Sequence, residues 1–401
     1  MSEWKKMKLS ECCSSIADGD HQPPPKAEAG IPFVTISNMT STNQFDFSDT
    51  LFVPQDYYDK LDEKRKARKD DILYSVVGSF GIPVFMKEGK AFVFQRHIAI
   101  LRPDNEKIVP RFLFYTMLTK DFYAKADAAA IGAAQRTVSL TALRNMEICI
   151  PEKIQQSKIV DTLAAYDDLI ENNQKQIKLL EEAAHRLYKE WFVDLRFPGY
   201  EKTEIVDGVP EGWHKDAVDS KISLLSGYAF KSSEFVDKGQ YKIVTIKNVK
   251  DGDFDGNNVS LIDEIPSKMP QHCVLEEGDI LLSLTGNVGR VCLVYGDNYL
   301  LNQRVAKLKS DIPSFAYCLF RSKDMFDEMN NLANGAAQQN LSPIRTGKVE
   351  VCFPSEDIIQ RFETTVKPMI DQEIELNKMN VVLAEARDRL LPKLMSGEIE
   401  L

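Results

Sequence analysis

Amide and guanidinium side chains recur at corresponding places in the two halves of this 401-residue chain. In each half a Gly-Ala-Ala tripeptide is followed by a Gln, and a Gln-Arg dipeptide lies further upstream. An Arg side chain can form two parallel hydrogen bonds with guanine, and Gln or Asn can do the same with adenine. If the chain binds nucleic acid, the candidates for base contacts are Gln135, Arg136, Gln338, Gln339, Asn340, Gln95, Arg96, Gln303 and Arg304.

A second interpretation of these residues remains open. The two Gln-containing loops precede Ser139 and Ser342, so they could be structural turns that cap the short helices beginning there. If the two halves read different sequences, the identical Gln-Arg dipeptides are better explained by structure or phosphate contact than by base reading. Weaker candidates for DNA contact lie in loops near predicted strand ends: His21, Lys26, Asn38, Tyr228, Lys231, Lys247 and Asn248.

Signatures of catalysis and of metal binding are missing from the sequence. Thr346-Gly-Lys-Val349 lacks the upstream glycine of a phosphate-binding loop, and Gly286-Asn-Val-Gly289 is too short for a dinucleotide fingerprint. Pro23-Pro-Pro25 lacks both ends of the Asn/Asp-Pro-Pro-aromatic tetrapeptide of an amino-methyltransferase. The five histidines are scattered, and no cysteines have the paired spacing of a zinc site. The sequence therefore predicts a non-catalytic chain without a metal or cofactor of its own.

The seven cysteines and the hydropathy pattern favour a cytoplasmic location. Cys12 and Cys13 are adjacent and the other five are far apart, so we expect small buried apolar residues in a reducing compartment. The longest apolar runs are short and broken by charges, which predicts no transmembrane helix. Lys5, Lys6 and Lys8 precede no apolar segment, so no signal peptide is expected.

The distribution of charge is unfavourable for tight DNA binding by the chain alone. The formal net charge is −10, whereas phosphate contacts need clustered Lys and Arg. Residues 1–150 are close to neutral, with 20 basic and 19 acidic side chains, so most of the acidic surplus lies in the remainder. We therefore expect the isolated chain to bind DNA weakly.

An internal duplication, with matches offset by 203 to 210 residues, is the main feature of the sequence. Val34-Thr-Ile-Ser-Asn-Met39 recurs as Val244-Thr-Ile-Lys-Asn-Val249, and Asp71-Ile-Leu-Tyr-Ser75 recurs as Asp279-Ile-Leu-Leu-Ser283. Together with the Gln-Arg and Gly-Ala-Ala-Gln pairs, these matches occur in the same order in both halves of the chain. The period is far too long for a solenoid repeat. It indicates two copies of a whole domain, each followed by its own connector.

A heptad pattern follows the first copy and predicts a coiled coil. Its residues alternate spacings of four and three over 32 residues, which corresponds to about 48 Å of helix at ~1.5 Å per residue. The predicted seam contains Ile159, Leu163, Tyr166, Ile170, Asn173, Ile177, Leu180, Ala184, Leu187 and Trp191. A similar stripe after the second copy contains Phe362, Val366, Ile370, Ile374, Asn377, Val381 and Ala384.

The arrangement of the two helices has alternatives. Two similar helices that each follow a similar domain are expected to pair antiparallel, holding the domains apart about an approximate twofold axis. In the alternative, each helix packs on its own domain. Pro368 should kink or delay the second helix. Asn173 and Asn377 occupy matching places, where each either fixes the register of the seam or is a solvated flanking residue.

The fold class that follows is α+β: two similar mixed α/β domains separated by two long helices that form an antiparallel coiled coil, with internal pseudo-twofold duplication. Short apolar runs punctuated by Gly and Pro predict the strands of each domain. The expected boundaries are 1–150 for the first domain, 151–195 for the first helix, 196–354 for the linker and second domain, and 355–401 for the second helix.

Several segments together resemble the specificity subunits of type I restriction–modification systems, the HsdS family. Pro210-Glu-Gly-Trp213, followed by Ser226-Gly-Tyr-Ala-Phe-Lys-Ser-Ser233, resembles the opening of that family's target recognition domains. Gly278-Asp-Ile-Leu-Leu-Ser283 resembles their central strand, and Gly335-Ala-Ala-Gln-Gln-Asn-Leu-Ser342 resembles a loop near their end. Arg389-Leu-Leu-Pro-Lys-Leu-Met-Ser-Gly397 resembles the closing helix. The first half repeats this order with a different opening at Asp18-Gly-Asp-His-Gln-Pro23, so the resemblance covers essentially the full length.

The resemblance implies a non-catalytic subunit in which two target recognition domains each read one half of a split double-stranded DNA target. The helices would act as a ruler and as a dock for two methyltransferase subunits. Those partners bind S-adenosylmethionine and methylate adenine, and motor-nuclease (restriction) subunits can join the complex.

The geometry of DNA limits what such a protein can read. Domains about one helical turn apart, roughly 10 base pairs, that each read three or four pairs leave about six or seven unread pairs between them. Gly19-Asp-His-Gln-Pro23 differs from Gly227-Tyr-Ala-Phe-Lys231, and Arg136 corresponds to Gln339, so an asymmetric target is expected. The alternative function is a coiled-coil scaffold that joins two protein partners without reading DNA.

Overall fold

Ten α-helices and twenty strands form within the residues that the computed structural model describes, which are 4–21, 24–40, 42–132, 135–333 and 339–401. The helices are α1 Leu9–Cys12, α2 Gln55–Asp59, α3 Pro110–Leu118, α4 Lys120–Ala129, α5 Leu140–Asn145, α6 Lys153–Tyr188, α7 Pro313–Phe320, α8 Lys323–Ala333, α9 Pro343–Gly347 and α10 Glu356–Met395. The strands are β1 Lys5–Lys8, β2 Cys13–Asp18, β3 Ile31–Val34, β4 Leu51–Val53, β5 Ile72–Ser75, β6 Pro83–Phe85, β7 Val93–Phe94, β8 Ile98–Pro103, β9 Glu147–Ile150, β10 Ile205–Val206, β11 Val209–Pro210, β12 His214–Ala217, β13 Ile222–Ser226, β14 Tyr241–Val244, β15 Ser260–Ile262, β16 Ile280–Ser283, β17 Val291–Leu293, β18 Tyr299–Leu301, β19 Val305–Ser310 and β20 Glu350–Phe353.

The chain forms two compact units: unit 1 comprises residues 1–168 and 384–401, and unit 2 comprises residues 169–383. Within unit 1 the strands form a four-stranded antiparallel sheet in the order β2-β8-β5-β6. A three-stranded sheet has the order β4-β3-β7, in which β3 is antiparallel to β4 and parallel to β7. β1 and β9 form a separate antiparallel pair.

Unit 2 repeats this topology strand for strand. Its four-stranded antiparallel sheet has the order β13-β19-β16-β17, and its three-stranded sheet has the order β15-β14-β18. β14 is antiparallel to β15 and parallel to β18, and β12 pairs with β20. A short hairpin of β10 and β11 lies in the segment that was predicted to be a linker. The identical sheet orders confirm the predicted duplication of a whole mixed domain.

The central strand of each larger sheet is apolar throughout because both of its faces are covered. All four residues of β5 and all four of β16 are buried. In unit 1, Ile72 and Tyr74 face a core that includes α3, whereas Leu73 packs on the other side with Phe94 of the three-stranded sheet. This alternation is the period of two of a β-strand. Each mixed domain therefore consists of helices, a four-stranded sheet and a three-stranded sheet in successive layers.

The short helices near the end of each mixed domain begin at the predicted serines. The Ser139 hydroxyl accepts a hydrogen bond from the Ala142 backbone N–H at 3.1 Å, and the Ser342 hydroxyl accepts one from the Arg345 N–H at 3.4 Å. Each bond satisfies one of the backbone donors that the first turn of a helix leaves free. These caps fix the residues that come directly before them in both repeats.

In unit 1, α6 and α10 pair antiparallel. Arg387 of α10 forms an ion pair with Asp167 of α6 at 2.8 Å. Nearer the start of α6, the Lys158 ammonium donates to the Leu401 carbonyl oxygen at 2.9 Å, and Leu394 is fully buried in the unit's core. Residue numbers therefore increase from Lys158 to Asp167 along α6 while those of their partners decrease from Leu401 to Arg387, as antiparallel pairing requires.

In unit 2, the same two helices are again antiparallel. The Asn173 amide donates to the Asn380 side-chain oxygen at 2.9 Å. Further along α6, beyond Tyr188, a π-helical turn at Lys189–Val193 places the Trp191 ring 5.8 Å from the Phe362 ring. The prediction of an antiparallel helix pair is confirmed within each unit.

Each helix also packs on the domain that precedes it, so the alternative arrangement holds in part. Leu163 of α6 is buried in the same core as Tyr115, and Phe362 of α10 is buried in the same core as Phe315. The first half of each helix therefore shares one core with its own domain and with the other helix.

Every residue of the predicted seam of α6 is buried or half-buried. One predicted position in α10 is wrong. Val381 is 39% exposed, whereas Asn377 is half-buried and its amide donates to the Glu373 carbonyl of its own helix at 3.1 Å. The contact with Asn173 is made by Asn380 instead. Two successive spacings of three from Ile374 shift the stripe around α10, because a helix turn needs 3.6 residues.

Three smaller expectations have different outcomes. α10 begins at Glu356 and continues through Pro368, so this proline does not delay the helix. Five cysteines are buried and Cys352 is partly buried, but Cys149 is exposed at an outward-facing position of β9, which corrects the expectation that all seven are buried. Within the described part of the chain, no helix is both long enough and apolar enough to cross a membrane.

Candidate nucleic-acid interface

Four backbone segments of the first repeat meet at one end of its sheets. The Arg96 N–H donates to the Asp20 carbonyl at 2.9 Å, and the Val76 N–H donates to the His97 carbonyl at 2.9 Å. The Val138 N–H donates in turn to the Val76 carbonyl at 2.8 Å. Residues 19–21, 76–78, 95–97 and 135–138 therefore lie side by side. We call this group edge 1.

The second repeat builds the same group of segments. The Gln303 N–H donates to the Tyr228 carbonyl at 2.9 Å, and the Leu284 N–H donates to the Arg304 carbonyl at 3.0 Å. The Leu341 N–H donates to the Leu284 carbonyl at 2.7 Å. We call the group formed by residues 227–228, 284–286, 302–304 and 339–341 edge 2.

A glycine in each edge is required by the backbone itself. A Cβ atom on Gly19 would lie 2.2 Å from the Phe94 carbonyl oxygen, and one on Gly227 would lie 2.3 Å from the Asn302 carbonyl oxygen. Only glycine permits such a close approach. These glycines place the segment that follows β2 or β13 directly against the neighbouring turn.

Edge 1 brings together five of the candidates from the sequence. Gln135, Arg136, Arg96 and His21 are exposed, and Gln95 is half-buried. The Arg136 guanidinium pairs with Asp127 and lies 5.6 Å from the centre of the Phe80 ring.

Acidic side chains lie close to His21 of edge 1. His21 Nε2 is 2.6 Å from an Asp18 carboxylate oxygen, and Arg65 lies 3.8 Å from the same carboxylate. The Tyr57 hydroxyl donates to Asp20, and burial together with this bond raises the pKa of Tyr57 to about 12. Edge 1 thus presents fixed hydrogen-bonding groups of both signs, not a uniformly basic surface.

Edge 2 also brings several candidates together. Gln339, Asn340, Gln303 and Arg304 are exposed, and the Tyr228 ring packs at 5.2 Å against Phe230. Gln338 lies outside the described residues.

The remaining lysine candidates have different positions. Lys247 is exposed in the turn after β14, which adjoins edge 2 because the Asn302 N–H donates to the Val244 carbonyl at 3.1 Å. Lys231 is exposed before a short 3-10 turn, and Lys26 is exposed beside the bridge between Ala27 and β4. None of the hydrogen bonds described for the edges involves Lys231 or Lys26.

Asn38 and Asn248 are structural residues and are no longer candidates for DNA contact. The Asn38 amide oxygen accepts from the Thr35 N–H at 2.9 Å, and its amide nitrogen donates to the carbonyls of Asp46 and Asp49. Asn248 makes the equivalent bonds in the second repeat. Both side chains are buried with their hydrogen-bonding capacity used within the turn. Their recurrence therefore reflects a conserved turn geometry and not a common DNA contact.

The two Gln-Arg dipeptides do not occupy equivalent positions. The turn after β7 is closed by the Ile98 N–H donating to the Gln95 carbonyl, whereas the turn after β18 is closed by the Val305 N–H donating to the Asn302 carbonyl. The equivalent pairs are Gln95 with Asn302, Arg96 with Gln303, and His97 with Arg304. The interpretation of the dipeptides as identical residues with identical roles is therefore wrong.

A shorter connection between β17 and β18, compared with that between β6 and β7, explains this shift. Met86 and Val294 are equivalent, because their backbone N–H groups donate to Asp71 and Asp279 respectively. From there to the last residue of β7 or β18 the second repeat has one residue fewer, seven in place of eight. The two Gln-Arg dipeptides are identical in residue type, and this identity hides the residue that the second repeat lacks. His97 and Asn302, which belong to the two edges, were missed for this reason.

The comparisons with known proteins agree with the duplicated fold. A family model described as the type I restriction modification DNA specificity domain matches residues 1–182 and again residues 210–380. The chain belongs to this specificity family. Edge 1 lies within the first matched segment and edge 2 lies within the second.

Individual members of the family are similar along most of the chain. The specificity subunit of the type I restriction enzyme MjaIX from Methanocaldococcus jannaschii is 26% identical over 308 residues, which cover 74% of this chain and 70% of the relative. The specificity subunit of HindI from Haemophilus influenzae is 22% identical over 100% of both chains. The crystal structure of a type I restriction-modification S subunit from M. genitalium matches with a TM-score of 0.60 at 19% identity, over 98% of this chain and 96% of that one. This last likeness supports the fold.

Proposed function

We propose that this specificity-family chain is the sequence-recognition subunit of a type I restriction–modification complex. Each repeat reads one half of a bipartite, asymmetric double-stranded DNA target. The chain supplies recognition, while two methyltransferase subunits bind S-adenosylmethionine and carry out the chemistry, and restriction subunits join through the complex.

One observation carries the proposal: two edges share a backbone but differ in their exposed side chains. Edge 1 presents Arg96 and Arg136, and edge 2 presents Gln303, Arg304 and Asn340. A duplicated scaffold with matched frames and different hydrogen-bonding groups suits a protein that reads two different short sequences.

The helices are proposed to dock the methyltransferase subunits. In unit 2, Leu179 of α6 is 64% exposed and Val382 of α10 is 66% exposed, and Met379 is also exposed. Met379 and Val382 are three residues apart on α10 and so share one face, and contiguous exposed apolar side chains mark a protein contact. This feature also favours the scaffold alternative, in which the chain joins protein partners without reading DNA.

Footprinting of the assembled complex separates the two functions. The recognition subunit is expected to protect one bounded DNA site, with two contacted segments and an unread centre. Sequencing of modified bases in cells that carry the complex should show one asymmetric methylated motif. A complex that assembles but protects no bounded site would support the scaffold.

A length change in the helices tests their proposed role as a ruler. Four residues inserted after Lys175 would lengthen α6 by about 6 Å, close to two base-pair steps, and would shift the seam by nearly one turn. The methylated motif should keep both half-sites and gain one or two unread pairs. Altered half-sites with an unchanged spacer would show that the helices do not set the distance.

A further inference from the structure

The turns at residues 95–97 and 302–304 have the same backbone in both repeats. Each is entered by a bond to the neighbouring parallel strand, from the Gln95 N–H to the Val34 carbonyl at 3.2 Å and from the Asn302 N–H to the Val244 carbonyl at 3.1 Å. Each is then closed and held by the equivalent bonds described for the edges. Any chemical difference between the two turns therefore comes from side chains at matched positions.

The side chains at the outer positions of these turns remain available. Arg96, Gln303 and Arg304 are exposed, and none forms a side-chain hydrogen bond or ion pair with another residue of the described ranges. Arg136 differs, because its guanidinium is already paired with Asp127. An arginine that stabilises its own loop is expected to be tied in this way, so the two turn arginines are better suited to an external partner.

The imidazole of edge 1 adds a second kind of group. His97 is half-buried beside Arg96, and burial together with that positive charge lowers its pKa. A neutral imidazole carries one donor and one acceptor nitrogen. The first repeat therefore presents a guanidinium followed by an imidazole, and the second presents an amide followed by a guanidinium.

We propose that these two turn positions determine base specificity, with Arg96 and His97 acting for the first repeat and Gln303 and Arg304 for the second. The inference rests on the proposed DNA recognition and assigns residues to it. Arginine lies one position later in the turn of the second repeat than in that of the first. The side chain that can recognise guanine is therefore displaced by one residue, although the two turns have the same backbone. The two half-sites should differ accordingly.

A reciprocal exchange of the turns tests this assignment. The variant R96Q/H97R gives the first repeat the side chains of the second and retains one arginine in the turn. It is studied as the full chain assembled with its methyltransferase subunits, and the methylated motif is read by sequencing modified bases in genomic DNA. The half-site of the first repeat should change at one or two positions, with the original motif methylated about 5- to 150-fold more slowly. The other half-site should stay the same.

Two further variants keep the test decisive. Q303R/R304H should change only the half-site of the second repeat. R96K retains the charge but cannot form two parallel bonds to guanine, so it should relax the preference at one position without loss of assembly. K6Q is the matched control. Lys6 belongs to β1, which precedes the first residue of β2, whereas edge 1 contains the residues that follow the last residue of β2. The K6Q variant removes an exposed positive charge and should leave motif and rate unchanged.

The opposite outcome is equally specific. If both exchanged variants methylate the original motif, and R96Q lowers affinity equally for all sequences while reducing the salt dependence by about one ion, the turns contact phosphate and the assignment is overturned. Failure of the wild-type complex to select any motif would instead refute the proposed function. The two failures are thus distinguishable.

Discussion

The two units attach their mixed domains to the helices through networks of charged side chains, which are balanced in one unit and unbalanced in the other. In unit 1, Arg111 holds Asp168 through two hydrogen bonds of 2.9 and 3.2 Å, and Lys87 lies 3.0 Å from the same carboxylate. Asp167 is bound by Arg387 at 2.8 Å and by the Tyr115 hydroxyl at 2.6 Å. Arg387 also pairs with Asp388 at 2.7 Å, so three carboxylates face three cations.

Unit 2 uses the opposite balance. Arg321 is the cation between two carboxylates, bound to Glu181 at 2.7 Å and to the Tyr317 hydroxyl at 2.7 Å. That hydroxyl lies 3.4 Å from Glu373, which is almost fully buried. Asp251, a third carboxylate, is exposed and lies 3.5 Å from the same guanidinium.

The difference appears in the protonation of the carboxyls. The hydrogen bonds from Arg111 lower the pKa of Asp168, whereas burial and the charge of Glu181 raise the pKa of Glu373 to about 8. The same fold therefore tolerates a balanced ion network in one copy and a protonated acid in the other. The two repeats therefore keep the same backbone arrangement where domain and helix meet, but differ in the charges of the side chains there.

Removal of Arg321 is expected to have the largest effect. The R321M variant leaves the half-buried Glu181 without its cation, close to the buried Glu373, which should lower the free energy of unfolding by about 3–5 kcal/mol at neutral pH. Urea denaturation followed by tryptophan fluorescence measures this change. R345M, on the exposed surface of α9, is the control and should have little effect. A loss below about 1 kcal/mol for R321M would show that the cluster is already neutral.

The matched substitution in unit 1 should be milder. In R387M, Asp167 keeps the Tyr115 hydroxyl and lies 3.7 Å from Arg111, so its charge remains compensated. We expect a loss of about 1.5 kcal/mol, the value of one hydrogen bond to a charged group. The same denaturation assay measures it. An effect equal to that of R321M would remove the distinction between the two networks.

The pH dependence of stability tests the protonated acid directly. Because the pKa of Glu373 is higher in the folded chain than its ordinary value of 4.5, its contribution is fully present below that value and is lost as pH rises to about 8. E373Q imitates the protonated form. It should raise Tm by about 2–4 °C at pH 8–9 and change it little near pH 5. E385Q on the exposed surface of α10 should behave as wild type at both pH values, and a parallel shift for E373Q across the whole range would contradict the assignment.

The asparagine pair of unit 2 should give the smallest effect. N173L leaves the Asn380 amide without its partner and is expected to cost about 1 kcal/mol. N173L/N380L should recover this loss, because the seam then contains only apolar contacts. A double-mutant cycle measures the coupling of the two residues. Additive effects of the single substitutions would mean that the hydrogen bond contributes nothing measurable.

Much of the architecture follows from sequence patterns with a physical basis. The ordered matches at offsets of 203 to 210 residues predict the repeated domain, and the heptad spacing predicts the antiparallel helices. Both patterns are set by many apolar residues together, so one exception such as Val381 does not disturb them. Ser139 and Ser342 also identify the starts of their helices because a cap is a local interaction.

The edges are less accessible to sequence reasoning because they depend on nonlocal backbone contacts. Gln95-Arg96 and Gln303-Arg304 share residue types, but the connection between β17 and β18 has one residue fewer than that between β6 and β7, which places the dipeptides in different positions. The Asn38 and Asn248 side chains turn inward to bind their own loops, which polar residue type alone does not reveal. His97 was missed because its equivalence to Arg304 appears only when the missing residue of the second repeat is taken into account.

The division of the chain also has a consequence for its synthesis. Unit 1 is built from residues 1–168 and 384–401, and Leu394 is buried in its core. A ribosome must therefore produce the 215 residues of unit 2 before it can supply this part, which takes about 10–40 s at 5–20 residues per second. Unit 2, as one continuous segment, can complete its core first. The domain that emerges earliest is thus the last to be finished, and it spends that interval with an apolar surface that its final helix has yet to cover.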